Sequence, residues 1–316
     1  QETLDKKEQA MILLNKRGYA SFIKCESCNE PIRCPHCDVT LTYHKAENRL
    51  KCHLCEYFIP TPRTCPNCGS THLKKIGYGT QKIEEELEKQ YPEAHIIRFD
   101  FDTTRNKNTH LKLLKDFEEH KADIMLGTQM IAKGLDFSNV TFVGVLMADL
   151  SLMVPDFRAS ERTFQLLCQV AGRSGRGEKQ GTVMIQTFNP EHYAIKAAVK
   201  QDYDAFFKEE IAFRKKAKYP PYCHLVSVIV QSRTPKNVHS IALDISQYLR
   251  DHLEKVRIIG PQSTFKMQDI YRERILIKYI ESKPIYEQLS IIDDYYNRTR
   301  KGGVIVACDF NPYSTY

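Results

Sequence analysis

The sequence has no hydrophobic run long enough to cross a membrane. Its longest apolar stretches, such as VTFVGVLMA, fall well short of the roughly 20 residues that a spanning helix needs. The first residues, QETLDKKEQAM, also lack the apolar core of a secretory signal peptide. These absences argue against a membrane protein and predict a cytoplasmic one, in which cysteine pairs usually bind metal instead of forming disulfides.

Two sequence motifs of ATP-hydrolysing motors are also missing. The 316 residues contain no G-x-x-x-x-G-K-[ST] loop and no D-E-x-H sequence. The first motif cradles nucleotide phosphates, and the acid of the second holds Mg²⁺. A phosphate cradle of this type therefore cannot form within this chain.

Cysteine is scarce outside one segment. Eight of the 11 cysteines lie between residues 25 and 68, as four C-x-x-C pairs. Two such pairs can direct four thiolates at one zinc ion, so four pairs predict two zinc sites. The other three, Cys168, Cys223 and Cys308, stand apart, and each is expected to be a small buried apolar group.

The four pairs can combine in three ways, and the stretch between Cys37 and Cys52 favours one of them. DVTLTYHKAENRLK alternates apolar and polar residues, turns at KAEN and returns, which predicts a β-hairpin with a metal-binding knuckle at each end. The inner pairs should then share one ion and the outer pairs the other. The predicted ligand sets are Cys25, Cys28, Cys65 and Cys68 for site one, and Cys34, Cys37, Cys52 and Cys55 for site two.

Both zinc ions are expected to be structural. Each site already has four thiolates, so His36, His44 and His53 should lie at the surface or behind the ligands, and no coordination position is left for catalysis. This disfavours a zinc hydrolase. A module of about 45 residues cannot bury enough apolar surface to fold unaided, so each metal ion should contribute roughly 10 kcal/mol or more.

The rest of the chain predicts two further segments. Around the cysteines, strands with near-continuous apolar runs alternate with helices, which is typical of a parallel sheet covered on both faces. The last third reads βαββαβ, the order of a split-βαβ sandwich, after one long charged helix that ends at Tyr219-Pro220-Pro221. The predicted domains are an α/β domain (1–24 and 71–200), the cysteine-rich module (25–70) and an α+β domain (201–316).

The stretch GTQMIAKGLDFSNV lies where a strand of the α/β domain ends, which is where such sheets bind ligands. Gly127 and Thr128 should open a short helix whose free amides favour an anion. Gly134 could cap that helix and permit close ligand approach, and Asp136 could accept a hydrogen bond from a ribose hydroxyl or a metal-bound water. Glycine caps and aspartate turns are common, so a purely structural role stays open.

The stretch QVAGRSGR ends a predicted helix. If that helix continues, Gln169, Arg173 and Arg176 fall on one face at i, i+4 and i+7. Two guanidinium groups and an amide beside glycines suit the recognition of a polyphosphate. A solvated basic helix end is the alternative.

In order, these two stretches resemble motifs V and VI of superfamily 2 helicases. Together with the nested cysteine pairs and with NKRGY, GYGTQ, DFDTT and DFRASER, they give the whole chain a resemblance to the PriA family (primosomal protein N′) of bacterial replication-restart helicases. The resemblance implies the second RecA-like lobe of a 3′–5′ DNA helicase, with ATP and Mg²⁺ as cofactors beside the two zinc ions.

The resemblance also implies residue roles. Arg173 and Arg176 would reach the ATP phosphates, with Arg176 as the arginine finger. Nucleotide binding would involve Gln169, Gly134 and Asp136, and Thr128 would contact the translocated strand. The implied partners are forked and single-stranded DNA, the single-stranded DNA-binding protein, and primosome and replicative-helicase loader proteins. Candidate basic contacts in the last domain are Arg272, Arg274, Arg298, Arg300 and Lys301, with an ordinary solvated charge at each as the open alternative.

The two missing motifs belong, in this family, to a first motor lobe. The chain is therefore expected to be the C-terminal half of a longer protein and to be inactive as an ATPase by itself. A net charge of +7 fits contact with phosphate backbones but also fits an ordinary surface. The alternative function is a non-enzymatic zinc-ribbon adaptor for nucleic acid or protein, which has no need of paired arginines at a cleft.

Overall fold

The computed structural model describes residues 1–15, 22–37, 39–44, 48–52, 55–76, 80–100, 103–104, 107–132, 137–173, 181–299 and 303–314. The helices are α1 (Glu2–Asp5), α2 (Thr80–Gln90), α3 (Lys107–Glu118), α4 (Ala159–Ala171), α5 (Tyr193–Lys200), α6 (Tyr203–Ala217), α7 (Pro235–His252) and α8 (Ser282–Asp293). None of these helices, all in the described part of the chain, has the length and apolar character needed to span a membrane.

The strands fall into four sheets. They are β1 (Gln9–Leu14), β2 (Phe22–Cys25), β3 (Thr42–His44), β4 (Arg49–Lys51), β5 (Phe58–Pro60), β6 (Leu73–Ile76), β7 (Ile96–Phe99), β8 (Ile124–Gly127), β9 (Val140–Leu146), β10 (Thr182–Ile185), β11 (His224–Ser232), β12 (Arg257–Ser263), β13 (Tyr271–Tyr279) and β14 (Ile305–Phe310). Contacts divide the chain into two units: a first unit of Gln1–Ala20 with Gly77–Glu210, and a second of Ser21–Ile76 with Ile211–Tyr316.

The first unit, called the lobe below, is built on a parallel sheet in the order β10-β9-β1-β8-β7. Strand β1 lies at its centre because its sequence, QAMILL, is apolar on both faces. The one polar residue at its start, Gln9, is buried, and its side-chain amide donates to the carbonyls of Phe117 (2.7 Å) and Ala122 (2.8 Å). The predicted parallel α/β architecture is confirmed.

The order of this sheet fixes where a ligand could bind. Neighbouring strands β1 and β8 are followed by connections that run in opposite directions along the sheet, from β1 past β8 to β7 and from β8 past β1 to β9. Crevices form at the carboxyl ends of strands at such a switch point. Here those ends are Leu14, Gly127 and Leu146.

The second unit contains a four-stranded antiparallel sheet, β12-β13-β11-β14, with α7 and α8 packed on it. Chain order and sheet order together give the predicted split-βαβ sandwich. The same unit holds the cysteine module, with the pair β2-β6 and the three-stranded ribbon β3-β4-β5. The predicted hairpin is β3-β4; strand β5 and the β2-β6 pair were not predicted.

Two predictions about helices were wrong. The long charged helix is two helices, because Gln201 ends α5 in a left-handed conformation (φ 52°) and the Asp202 carboxylate accepts from the amide of Ala205 at the start of α6. Helix α4 stops at Ala171, where Gly172 follows it, so it does not run through residue 176.

The predicted domain limits differ from the contact units in one respect. The sequence treats residues 25–70 as an insertion in the α/β domain, whereas contacts group residues 21–76 with the C-terminal residues 211–316. Insertion along the chain does not require packing on the host domain. The limits 1–24, 71–200, 25–70 and 201–316 stay a prediction.

Candidate metal centres and the carboxyl edge of the lobe

The eight clustered cysteines form two groups of four. The sulfur atoms of Cys25, Cys28, Cys65 and Cys68 lie within 4.8 Å of one another, as do those of Cys34, Cys37, Cys52 and Cys55. These groups are the two predicted zinc sites, with the predicted pairing. All eight thiols are free, and no disulfide links them.

The geometry of both groups fits a tetrahedral zinc ion. Sulfurs on a tetrahedron with zinc–sulfur bonds of about 2.3 Å lie about 3.8 Å apart. The observed separations are 3.6 Å for Cys25–Cys68, 3.7 Å for Cys28–Cys65 and 3.6 Å for Cys34–Cys55. A disulfide would bring two sulfurs to about 2.05 Å, so these pairs are spaced as metal ligands. The donor sets are consistent with two structural zinc ions.

Site one is held by elements of the module itself. Cys25 ends strand β2, and the second knuckle closes through the bond from the Gly69 amide to the Cys65 carbonyl (2.8 Å), with Gly69 at φ 74°. The hydroxyls of Ser27 and Ser70 are 2.7 Å apart and link the two knuckles.

The thiols of site one could not all ionise without a cation. The amide of Cys28 donates to the sulfur of Cys25 and lowers the pKa of that thiol to about 6. The amide of Ser70 favours the Cys68 thiolate, but burial and the neighbouring thiols raise its pKa to about 12. A bound dication removes this conflict, because it stabilises four thiolates together.

Site two lies deeper, at one end of the ribbon. Cys37 and Cys52 are fully buried, and burial raises the pKa of Cys34 to about 12 and raises that of Cys37. The amide of Gln268, from the C-terminal part of the chain, donates to the Cys37 sulfur over 3.2 Å. The nearby His36 is half-exposed, and its Nδ1 lies 2.6 Å from a carboxylate oxygen of Asp269.

The predicted ligand segment of the lobe begins at Gly127. A Cβ at this position would collide with the Phe99 carbonyl and lie 2.6 Å from the side chain of Ile131, so only glycine fits between β7 and the turn that follows. That turn, Gln129–Ala132, is a single 3₁₀ turn and not a helix, so the predicted anion site at a helix N-terminus has no helix dipole behind it. Thr128 is half-buried at its start; Gly134 and Asp136 lie outside the described residues.

The residues predicted to read phosphate lie at the end of α4. Gln169 is exposed on that helix, and Arg173 follows its end in a turn in which the Arg173 amide donates to the Val170 carbonyl (3.0 Å). Because the helix ends at Ala171, the predicted alignment of three side chains along one helical face does not hold. Arg176 lies outside the described residues.

Sequence reasoning missed a buried polar network at the carboxyl edge. Asn15 follows β1 and is 1% exposed; its Nδ2 donates to the Ala148 carbonyl (3.0 Å) and to the Ser151 hydroxyl (2.9 Å). Its Oδ1 accepts from Nε2 of Gln129 (3.1 Å). The Ser151 hydroxyl in turn lies 2.7 Å from that of Thr163 on α4.

This network, called the Asn15 network below, joins two of the predicted stretches. Gln129 belongs to the segment after β8, and Thr163 belongs to the helix that leads to Arg173. A buried network with every member hydrogen-bonded holds its elements in one arrangement. The only sequence signal was a single asparagine directly after an apolar strand. Such an asparagine predicts no network unless its hydrogen-bond partners are known.

Two of the basic residues suggested in the C-terminal domain, Arg272 and Arg298, have partners within that domain. Nε of Arg272 donates to the Gln231 side chain (3.0 Å), and Arg298 pairs with Asp294 (2.9 Å). Arg300 and Lys301 lie outside the described residues. Of the isolated cysteines, Cys223 is buried as expected, whereas Cys168 and Cys308 are only partly buried and pack against apolar clusters; burial raises the pKa of Cys308 to about 11.

Comparison with family models places three domains along the chain. Residues 34–60 match the PriA DNA helicase Cys-rich region domain, residues 72–178 the helicase conserved C-terminal domain, and residues 215–313 the primosomal protein N C-terminal domain. The first stretch contains the cysteine tetrad of site two, the second contains strands β7, β8 and β9 of the parallel sheet, and the third contains the split-βαβ sandwich. The chain belongs to the PriA family.

Curated members of the PriA family match nearly the whole chain. The replication restart protein PriA of Bacillus subtilis is 47% identical over 99% of this chain and 39% of its own length. The PriA protein of Chlamydia pneumoniae is 42% identical over 91% of this chain and 39% of its own length. The chain thus spans about two fifths of the length of these relatives.

Similarity to solved structures is weak. One match is domain 2 of the DEAD-box helicase Mss116p, bound to an RNA duplex, which is 19% identical to this chain. The match covers 54% of this chain and 60% of the Mss116p chain, with a TM-score of 0.29. The family assignment does not depend on this likeness.

Proposed function

We propose that the chain supplies the second motor lobe, the zinc module and the C-terminal domain of an ATP-dependent 3′–5′ DNA helicase that restarts abandoned replication forks. Membership of the PriA family supports this function. The structural observation that carries it is the Asn15 network, because it ties the segment at Thr128 to helix α4, which precedes Arg173. A motor needs such a tie between the part that contacts the strand and the part that senses nucleotide.

The residue roles in this proposal are those that the family resemblance implies. Arg173 and Arg176 contact the ATP phosphates, and Arg176 is the arginine finger that stabilises the charge developing during phosphoryl transfer. Gln169, Gly134 and Asp136 contribute to nucleotide binding. Thr128, at the carboxyl end of β8, contacts the backbone of the translocated strand.

The Mg²⁺ ion and the phosphate cradle come from a first lobe, since the 316 residues contain neither motif that builds them. The chain by itself therefore does not hydrolyse ATP. Mg²⁺ held there would neutralise phosphate charge, and Arg173 and Arg176 of the lobe described here would supply guanidinium groups to the phosphates.

The zinc module acts without open coordination positions. All four protein ligands of each ion are thiolates, so the module serves as a rigid element that helps to separate the duplex at the fork and contacts partner proteins. The partners are forked and single-stranded DNA, the single-stranded DNA-binding protein and the loaders of the replicative helicase, in the cytoplasm at the replication fork.

The test uses the chain extended to the length of its relatives. We expect Arg176→Ala to lower the rate of DNA-stimulated ATP hydrolysis by roughly 10³-fold or more, as loss of an arginine finger does, while zinc content stays at two ions. Arg233→Ala is the matched control, because Arg233 is an exposed arginine in the other unit; it should leave hydrolysis unchanged.

The alternative is a non-enzymatic zinc-ribbon adaptor. If Arg173→Ala and Arg176→Ala both hydrolyse ATP and unwind forked DNA as the unaltered protein does, the arginines have no motor role and the adaptor becomes the better account. Measurable DNA-stimulated ATP turnover by the 316-residue chain alone would also contradict the proposal.

A further inference from the structure

The loop between β12 and β13 ends in a tight hairpin. The amide of Met267 donates to the Ile270 carbonyl (3.1 Å) and the amide of Ile270 to the Met267 carbonyl (3.0 Å), so two residues form the turn. Both of them, Gln268 (φ 53°) and Asp269 (φ 58°), have left-handed backbones, as in a type I′ turn. Neither is glycine, so the turn needs compensation from its surroundings.

The compensation comes from the first knuckle of zinc site two. The carboxylate of Asp269 lies 2.6 Å from Nδ1 of His36, and the Asp269 amide donates to the His36 carbonyl (2.9 Å). Nζ of Lys266 donates to the Pro35 carbonyl (2.7 Å). Met267 packs against the small apolar core of the module.

One further contact reaches a metal ligand directly. The amide of Gln268 donates to the Cys37 sulfur over 3.2 Å, and this bond is possible because the left-handed turn directs that amide outward from the hairpin. A sulfur that binds zinc is a thiolate, and hydrogen bonds to charged acceptors are stronger than those to neutral ones. The hairpin therefore holds the Cys37 sulfur in place from behind the metal site.

We propose that residues 266–270, called the tip below, are the outer support of zinc site two, and that metal binding at this site and docking of the C-terminal domain on the module stabilise each other. The reciprocity is thermodynamic: if the tip strengthens metal binding, the metal strengthens docking of the tip by the same factor. Groups that orient metal ligands in this way typically change affinity by about 10- to 100-fold. The inference does not depend on the proposed motor function.

Site one provides an internal control. The groups that brace it, the Ser27–Ser70 contact and the side chain of Asn67 beside Cys28 (3.7 Å), come from the module itself. A change in the tip should therefore affect site two and leave site one as it was.

The test follows the two sites separately in the whole chain. Zinc-loaded protein is exposed to a chelator and N-ethylmaleimide, and labelling of each cysteine is followed by mass spectrometry of its peptides. Asp269→Gly removes the carboxylate and keeps a residue suited to the left-handed turn. We expect Cys34, Cys37, Cys52 and Cys55 to be labelled about 10- to 100-fold faster in this variant, and the four cysteines of site one at the original rate.

Two further variants keep the test decisive. Asn311→Gly is the matched control, because Asn311 is another left-handed residue of the same domain (φ 52°); it should change neither site. Lys266→Ala is a milder disruption of the tip and should accelerate site two less than Asp269→Gly does.

The reverse direction is measured by hydrogen exchange. Cys55→Ser weakens site two without altering the knuckle that the tip contacts, and we expect amide exchange over residues 266–270 to become faster. Equal labelling of site two in Asp269→Gly, Lys266→Ala and the unaltered chain would overturn the proposal, as would unchanged exchange of the tip in Cys55→Ser. Equal acceleration of both sites would overturn it as well, since that would indicate general destabilisation.

Discussion

The lobe and the cysteine module are stabilised in different ways. Among the described residues, the main core of the lobe contains 22 buried side chains, large ones such as Phe99, Phe117 and Met125 included. The core of the module contains seven, and three of these are the zinc ligands Cys34, Cys37 and Cys52. The lobe can fold by burying apolar surface, whereas the module has too little of it and depends on its thiolates.

Removal of zinc should produce the largest difference in stability between the module and the lobe. A chelator takes away roughly 10 kcal/mol of folding free energy per structural ion, more than the module can supply from its core. We expect the amides of β3, β4 and β5 to lose their protection from hydrogen exchange, while those of β1, β8 and β9 keep theirs. If the amides of the ribbon stay protected after complete loss of zinc, the module does not depend on the metal for its fold.

A cavity in the core of the lobe should destabilise the lobe and leave the zinc module unchanged. Leu13 is fully buried at the centre of the parallel sheet, so Leu13→Ala should lower the free energy of unfolding of the lobe by about 2–5 kcal/mol. Urea-dependent oxidation of Met11 and Met125, both buried in the lobe, measures this loss without a signal from the module. Zinc content should stay at two ions per chain, and loss of zinc on this substitution would contradict independent stabilisation.

A smaller and pH-dependent effect is expected at Asp149, which is 5% exposed beyond the end of β9. Burial opposes its ionisation, but hydrogen bonds from the Thr187 hydroxyl (2.7 Å) and the amides of Phe188 (2.8 Å) and Asn189 (3.2 Å) outweigh burial and lower its pKa. A lowered pKa stabilises the fold above the unfolded value of about 3.9, and this stabilisation is lost as the pH falls through the folded value.

Asp149→Asn tests this assignment. At pH 7 the variant should be less stable by about 1–2 kcal/mol, because hydrogen bonds to a charged acceptor are replaced by weaker ones. The difference from the unaltered chain should begin to shrink as the pH falls below the unfolded value of about 3.9, and it should disappear as the pH falls through the lowered pKa of the folded carboxylate. The same methionine oxidation, carried out in urea at several pH values, measures the stability difference at pH 7 and its change with pH. A stability difference that does not vary with pH would exclude ionisation of Asp149 as its cause.

Much of the fold could be predicted because its patterns are local. The buried run in β1, the alternation in β3 and the spacing of the C-x-x-C pairs each follow from neighbouring residues. The errors arose where a single residue changes the backbone: Gln201 divides one predicted helix into two, and Gly172 ends α4 before the predicted phosphate-reading residues. Helical periodicity continues across such positions in the sequence, so it cannot reveal them.

The candidate site was predictable to a different degree in each region. The zinc ligands could be assigned because all eight bear the same chemistry and one hairpin restricts their pairing. The Asn15 network could not, because its members come from β1, the segments after β8 and β9, and α4. Nothing in the sequence distance between Asn15 and Thr163 indicates that Ser151 connects them.

By itself, the sequence determined the two metal-binding tetrads, the parallel and antiparallel sheets and the family, since short-range spacing and hydrophobic pattern specify these. Only the tertiary structure decided that the cysteine module packs with the C-terminal residues, and that a turn more than 200 residues further along donates a hydrogen bond to Cys37. The physical reason is that a hydrogen bond acts over about 3 Å of space. The chain order of two residues says nothing about that distance until the fold has closed the loop between them.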